Sequence, residues 1–324
     1  MINIELGVAG FVDLHKGRIG PDGEPVTREH ISSFKNLVLD TGLQRIGEER
    51  DWMNWLHLGT GIQAPHPLQN ALQNPTYKGN DYAPSPHTTS GIDISDPLKP
   101  YCWVRRVFRV SPRGENRTYA EMGVGWNDNN LFSRTLIKDP QGNPNTISIL
   151  GDEYLDVTYE VRLYMPVESA VYEVVPTGDD IEPRTITVHA SRLNTENITF
   201  GWALAGTQSG NPANRIPNSI LNNPPTATIN VNRFFDGGRG GLYEDPEGST
   251  VGSAFRRTSL VRTSSTSAVI TLTRELPDNV GLLRTMQISQ ESYCFQLEFD
   301  PPFNKSDEDR FSISYSISWG REEE

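Results

Sequence analysis

The chain is short of cysteine, of positive charge and of long apolar runs. Only two cysteines, Cys102 and Cys294, occur in 324 residues. A secreted, disulfide-stapled framework carries more of them at closer spacing. Each stands between aromatic residues (Tyr101 and Trp103, Tyr293 and Phe295), which suits a buried free thiol. Lys and Arg number 29 against 41 Asp and Glu, a net charge of −12. That balance leaves no broad basic face for a phosphate backbone, so nucleic acid is not an expected partner. The cluster Arg105, Arg106 and Arg109 fits a polar strand face better, since alternation sends Arg105 and Arg106 to opposite sides. No apolar run reaches the length of a membrane span, and no membrane insertion is expected. The first residues lack the basic and apolar regions of a signal peptide, so the expected site of synthesis is a cytoplasm.

Catalytic signatures are missing as well. The six histidines (His15, His30, His57, His66, His87, His189) never fall at metal-ligand spacing, and thiolate ligands are too few for a zinc site. Gly237–Gly241 is glycine-rich, but no Gly-Lys-Ser/Thr follows it, which excludes a P-loop. There is no Gly-x-Ser-x-Gly elbow. Asn127–Asn130 begins like a calcium loop, yet lacks the later glycine and acid, so it reads as a turn. The carboxylate pairs Asp152/Glu153 and Asp307/Glu308 sit at strand entries, where neighbours point to opposite faces and acids do not converge. No catalytic, cofactor-binding or metal-binding residue is assigned, and no cofactor is expected.

What the sequence does hold is alternation. Hydrophobic residues make up 35%, with 28 Gly and 23 Pro, a balance suited to many short strands joined by turns. Two stretches stand out. Leu155, Val157, Tyr159, Val161 and Leu163 alternate strictly, and so do Phe311, Ile313, Tyr315, Ile317 and Trp319. Each run follows an Asp-Glu pair, has Tyr in the middle, and keeps a β-branched residue on either side of it. Period two means a strand with one buried and one polar face. We therefore expect an all-β fold of two tandem, related, β-sandwich-like domains, 1–166 and 167–324, each closed by its longest strand.

Within the first domain, a hairpin is expected over residues 7–31 around Gly20-Pro21-Asp22-Gly23. A short helix is expected near 40–47, capped by Asp40 or Thr41, burying Leu43 and Ile46 and stopping at Gly47. Strands are expected at 55–58, 101–110, 117–126 and 131–138. Between them lies a Pro-rich insertion, 62–100, whose length suggests a functional loop. Tyr77 and Tyr82 within it are expected to be exposed and to contact protein or sugar. The second domain offers an aromatic-flanked glycine loop with Phe234, Phe235 and Tyr243. Its last strand offers an uncharged face of Ser312, Ser314, Ser316 and Ser318, expected to pack on another element or a neighbouring chain. These nine residues are the candidate interface.

One phrase carries a resemblance. Glu121-Met-Gly-Val-Gly-Trp126 and Leu131-Phe-Ser-Arg-Thr-Leu-Ile137, followed by the long strand from Asp152, are similar to tailed-bacteriophage structural proteins in which E-x-G-x-G-W … L-F-S-R-x-L-I precedes a long strand. Asn36–Leu43 and Phe295–Lys305 also resemble phage tail-fibre and tail-associated proteins. The resemblance implies a non-enzymatic virion component of the tail, baseplate or collar, with fibre anchoring among its expected roles, made in the host cytoplasm. Its partners would be other virion proteins and further copies of itself, following tail symmetry. The alternative is a host-receptor or glycan-binding module of the tail tip or fibre, with an enzyme degrading surface polysaccharide the third choice.

Overall fold

Both alternating runs become strands that flank one another across a single central strand. The structure is a computed structural model. It describes residues 1–22, 24–48, 52–84, 86–175, 182–191, 233–242, 244–251, 256–274, 281–290, 293–306, 308 and 310–322. The fold is all-β, with one short helix.

The central strand is β1 (Ile2–Ile19). A strand has two edges. Along one, β11 (Glu153–Tyr164) pairs antiparallel with Gly7–Arg18. Along the other, β20 (Phe311–Arg321) pairs in parallel with Ile2–Val8, and β2 (Pro25–Val38) takes over antiparallel from Gly10 onward. The expected hairpin is thus present as β1–β2, longer than the turn residues alone suggested. Beyond β11 lie β6 (Tyr101–Val110) and β5 (Thr88–Asp93). Beyond β20 lie β17 (Ser267–Arg274) and β16 (Arg256–Ser264). The far end of β2 hands on to β9 (Leu131–Leu136), β8 (Glu121–Gly125), β3 (Trp55–Gly59) and β4 (Pro75–Gly79), while β7 (Arg117–Tyr119) and β10 (Ile147–Ile149) pair as a small sheet of two.

Only Leu37 and Val38 of β2 reach β9, so the sheet turns sharply there. The turn brings β9 over β11: the Phe132 ring meets Tyr159 edge-on at 6.3 Å and stacks on Trp52 at 5.8 Å. All five apolar residues of the β11 alternation are fully buried in the space so enclosed. Gly10 on β1 leaves room for Tyr159, whose hydroxyl lies where a Cβ would stand.

The second half of the chain supplies a sheet of its own, β12 (Ala170–Val174), β13 (Arg184–Ala190), β19 (Tyr293–Lys305), β18 (Gly281–Gln290), β14 (Arg233–Phe235) and β15 (Thr250–Val251), in that order. The boundary expected at residue 166 does not divide the first sheet, because β16, β17 and β20 belong to it. The two sheets share one hydrophobic core. Phe311 of β20 meets Phe234 and Phe299 edge-on, and the Tyr172 hydroxyl donates to the Asn3 carbonyl while accepting from its N–H.

The helix α1 (Asp40–Glu48) buries Leu43 and Ile46 as expected. Its glycine has another reason. Gly47 lies inside the helix, and a Cβ there would run into the Trp319 ring, whose indole N–H donates to Leu43 O at 2.7 Å. Thr41 is not a cap either; its hydroxyl donates to Leu131 O. The Pro-rich insertion is not one open loop, since β4 and β5 lie within it. Residues 197–203, whose sequence also reads as a strand, lie outside the described residues.

Candidate interaction surface

The strands β8 and β9 are buried along their whole length, including their charged residues. An Asx turn joins them: Asn127 Oδ1 accepts from the N–H groups of Asn129 and Asn130. The register sets Gly123 opposite Arg134 and Glu121 opposite Leu136, so Glu121 and Arg134 share a face as diagonal neighbours. Arg134 donates through Nε and Nη2 to Glu121 Oε2 at 3.2 and 2.8 Å. Both side chains are 0% exposed.

An ion pair taken out of water that completely needs its remaining hydrogen-bonding capacity filled. The filling comes from residues 60–74. The backbone N–H groups of Gly61, Gln73 and Asn74 donate to the Glu121 carboxylate at 3.1, 3.0 and 2.7 Å. Arg134 donates to the carbonyls of Gln63 and Ala64 and to Gln69 Oε1. Burial alone pushes the Glu121 carboxyl up. The Asn74 N–H, Arg134 and the Gln73 N–H together outweigh it and hold the group below the ordinary carboxylate range. Gly61 is the residue that lets the backbone come so close, because a Cβ would strike the carboxylate.

The loop is tied further by its own side chains. Gln73 Oε1 accepts from the N–H groups of Ile62 and Gln63, both at 2.8 Å, and Gln69 Oε1 accepts from His66 N–H. Leu72 is buried against Leu39 and Leu131, and Asp40 N–H donates to Pro67 O. The outward side is another matter. Ile62 is 77% exposed and Leu68 76%, on a loop with no freedom to fold them away.

The residues expected at an interface are placed differently. Tyr77 is 7% exposed, pointing inward from β4 with the Arg113 guanidinium 5.0 Å from its ring centroid. Its neighbours Thr76 and Lys78 face outward, so the error lay in taking a strand residue for a loop residue. Tyr82 is half-buried: its hydroxyl donates to Asn54 O, its ring stacks on His87 at 4.8 Å, and Arg106 approaches to 5.1 Å. Neither ring is a free platform for a sugar. Phe234 and Phe235 are buried in the core rather than displayed beside the glycine loop, and Tyr243 lies outside the described residues. The glycine loop itself is held down by Gln296, which accepts from Gly240 N–H and donates to the carbonyls of Gly241 and Glu244.

The serine face is half-covered by its own sheet. Ser312 is exposed, while Ser314, Ser316 and Ser318 are intermediate. Ser314 shares a hydrogen bond with Thr271 of β17 at 2.8 Å, and Ser316 donates to Ile2 O and Asn3 Oδ1. Ser318 lines a cleft of about 520 Å³ where the ends of β11 and β20 flank β1, together with Glu5, Leu98, Tyr164 and Glu322. Lys99 pairs with Glu322 there at 3.7 Å.

Charged groups elsewhere are structural pairs. On the outer face of β11, Asp156 accepts from Arg109 Nε and Nη2 at 2.7 and 2.8 Å, and Glu160 lies between Arg105 and Arg162. Asp13, Ser33 and His30 also meet, but Asp13 and Ser33 both approach His30 Nε2. A nucleophile relay needs the acid on one ring nitrogen and the hydroxyl on the other. Among the described residues no three His, Cys, Asp or Glu side chains are grouped to hold a metal ion. The two cysteines are buried and free, and burial pushes the Cys102 thiol up to about 12. No helix among the described residues is long and apolar enough to cross a membrane.

The reading from sequence missed Glu121, Arg134, Ile62 and Leu68. A signal was there: residues 52–77 contain no Asp, Glu, Lys or Arg, in a chain where 22% of residues are charged. No family model, no curated protein and no solved structure matches the chain.

Proposed function

We propose that this chain is a non-enzymatic structural protein of a tailed-phage particle, a tail, baseplate or collar component that holds neighbouring subunits. The buried Glu121–Arg134 pair supports this reading most directly. Its hydrogen bonds hold in place an uncharged surface loop that exposes Ile62 and Leu68, which suits a surface that docks. The same two residues occupy the acid and arginine of the phage-like phrase, Glu121 opening the first segment and Arg134 standing in the second. The resemblance and the clamp therefore rest on the same side chains.

The test is an inventory of purified particles by quantitative mass spectrometry. The expected result is this chain at one fixed copy number per particle, retained through salt washing. Its absence from particles made by a lysate that contains it would overturn the proposal. The reading also expects no loss of any glycan-degrading activity when the surface acids are replaced.

A further inference from the structure

Beyond β14 the chain crosses the six-stranded sheet on the face turned away from the core, and residues 237–241 read Gly-Gly-Arg-Gly-Gly. Four glycines bring no side chain, so burial of apolar surface does not hold this segment. Glycine also regains more backbone freedom on release than any other residue. What fastens the segment is polar. Thr285 Oγ1 donates to Gly237 O at 2.9 Å, Gln296 Oε1 accepts from Gly240 N–H at 2.9 Å, and Gln296 Nε2 donates to Gly241 O at 3.1 Å. Thr285 and Gln296 are fully buried beneath it. Both find water as a substitute partner when the segment lifts, so opening costs little.

Arg239 supplies the one side chain in the segment. Its Nη1 lies 3.2 Å from His189 Nδ1 and donates to Ser169 Oγ at 3.2 Å, and its Nε lies 3.4 Å from Glu298 Oε2. A guanidinium only donates, so His189 Nδ1 must keep its lone pair for the contact to exist. Protonation there removes the acceptor and sets two cations side by side, with His189 only 6% exposed. Glu298 on β19 offsets this only in part, because its other oxygen, 3.3 Å from Arg284 Nε of β18, is shared with a second arginine. Ser169, ahead of β12, and Gln296, the cross-strand partner of His189, are neutral. We propose that Arg239 and His189 form a latch that holds Gly237–Gly241 on the sheet at neutral pH and releases it in acid. The His189 pKa is lowered from 6.5, first by burial and then by Arg239, with the Gly240 backbone and Glu298 pulling the other way. The open state therefore takes up the proton first. The latch is closed above about 6.5 and weakens as pH falls toward the closed-state value.

The latch stands whether or not the chain belongs to a particle. Hydrogen exchange at pH 7 and pH 5, each corrected for the intrinsic rate, should show the Gly240 and Glu247 amides losing protection about tenfold in acid, as for one hydrogen bond to a charged group. The strands β13 and β19 should keep theirs. His189→Asn leaves a side-chain acceptor that does not titrate and should abolish the pH dependence. Arg239→Ala, at a partly exposed site, should keep the circular dichroism of the parent and leave both amides equally unprotected at the two pH values. If His189→Asn loses the parent's circular dichroism at pH 7, the Arg239→Ala result decides. Equal protection of the parent at both pH values would overturn the latch. So would an acid loss that survives in a folded His189→Asn or in Arg239→Ala, or one shared equally by β13 and β19, which would be acid unfolding of the whole sheet.

Discussion

The strands β11 and β20 have the same pattern and different neighbours. Each alternates about a buried tyrosine, Tyr159 in one and Tyr315 in the other, and each runs beside β1. Yet β11 is antiparallel to both partners, while β20 is parallel to β1 and antiparallel to β17. Their outer faces differ too. Asp156 and Glu160 on β11 form ion pairs with arginines, whereas the β20 serines exchange hydroxyl hydrogen bonds with Thr271, Thr273 and Asn3. Period two thus decides which residues go inside. The choice of partner strand is written on the other face and in distant parts of the chain.

The inner faces should be equivalent, and that is the largest effect to measure. Tyr159→Ala and Tyr315→Ala should each cost about 3–5 kcal/mol in denaturant unfolding, as for other large buried rings. A loss below about 1 kcal/mol at either site would break the equivalence. The outer faces should differ. Asp156→Ala leaves the largely buried Arg109 without its carboxylate and should cost about 3 kcal/mol. Ser314→Ala removes one hydroxyl pair at a half-buried site and should cost less than about 1 kcal/mol. Equal losses from the two would show that the chemistry of the outer face is immaterial.

The smallest effect is a pH dependence on the β11 side. His15, opposite Asp156 on β1, has its pKa lowered from 6.5, chiefly by burial and against the pull of Asp13. The unfolded chain therefore takes up the proton first as pH falls. His15 contributes stability above about 6.5 that is lost as pH drops toward the folded-state value. Hydrogen exchange at pH 7 and pH 5 should show amides of β11 losing protection, by a margin that His15→Gln removes. An equal loss along β20, which has no histidine on it or on β17, would contradict a local origin.

Much of the all-β class was legible in the chain. Tyr101–Val110 is found as a strand with the expected limits, because alternation and flanking prolines agree there. The helix at 40–48 was legible from Leu43 and Ile46, though the reason for Gly47 was not, since Trp319 lies far along the sequence. Leu131–Leu136 illustrates the harder case. Ser133, Arg134 and Thr135 are polar and yet buried, because one side of β9 meets the core and the other meets loop 60–74. A polar residue paired through tertiary contacts looks on paper like a solvated one. The candidate site was hidden for the same reason, and of the aromatic residues chosen in its place Tyr77, Phe234 and Phe235 were core.

The pairing of β1 with β20 joins residue 2 to residue 315. Closing so long a loop adds little to the free energy of the finished fold, because the entropic cost grows only with the logarithm of its length. The time course feels it more. Contacts this distant form late, and until they do, residues 2–8 of β1 keep an unsatisfied row of peptide groups on one edge. Until its own β20 arrives, that edge of β1 is one with which a neighbouring unfinished chain's β20 can also pair.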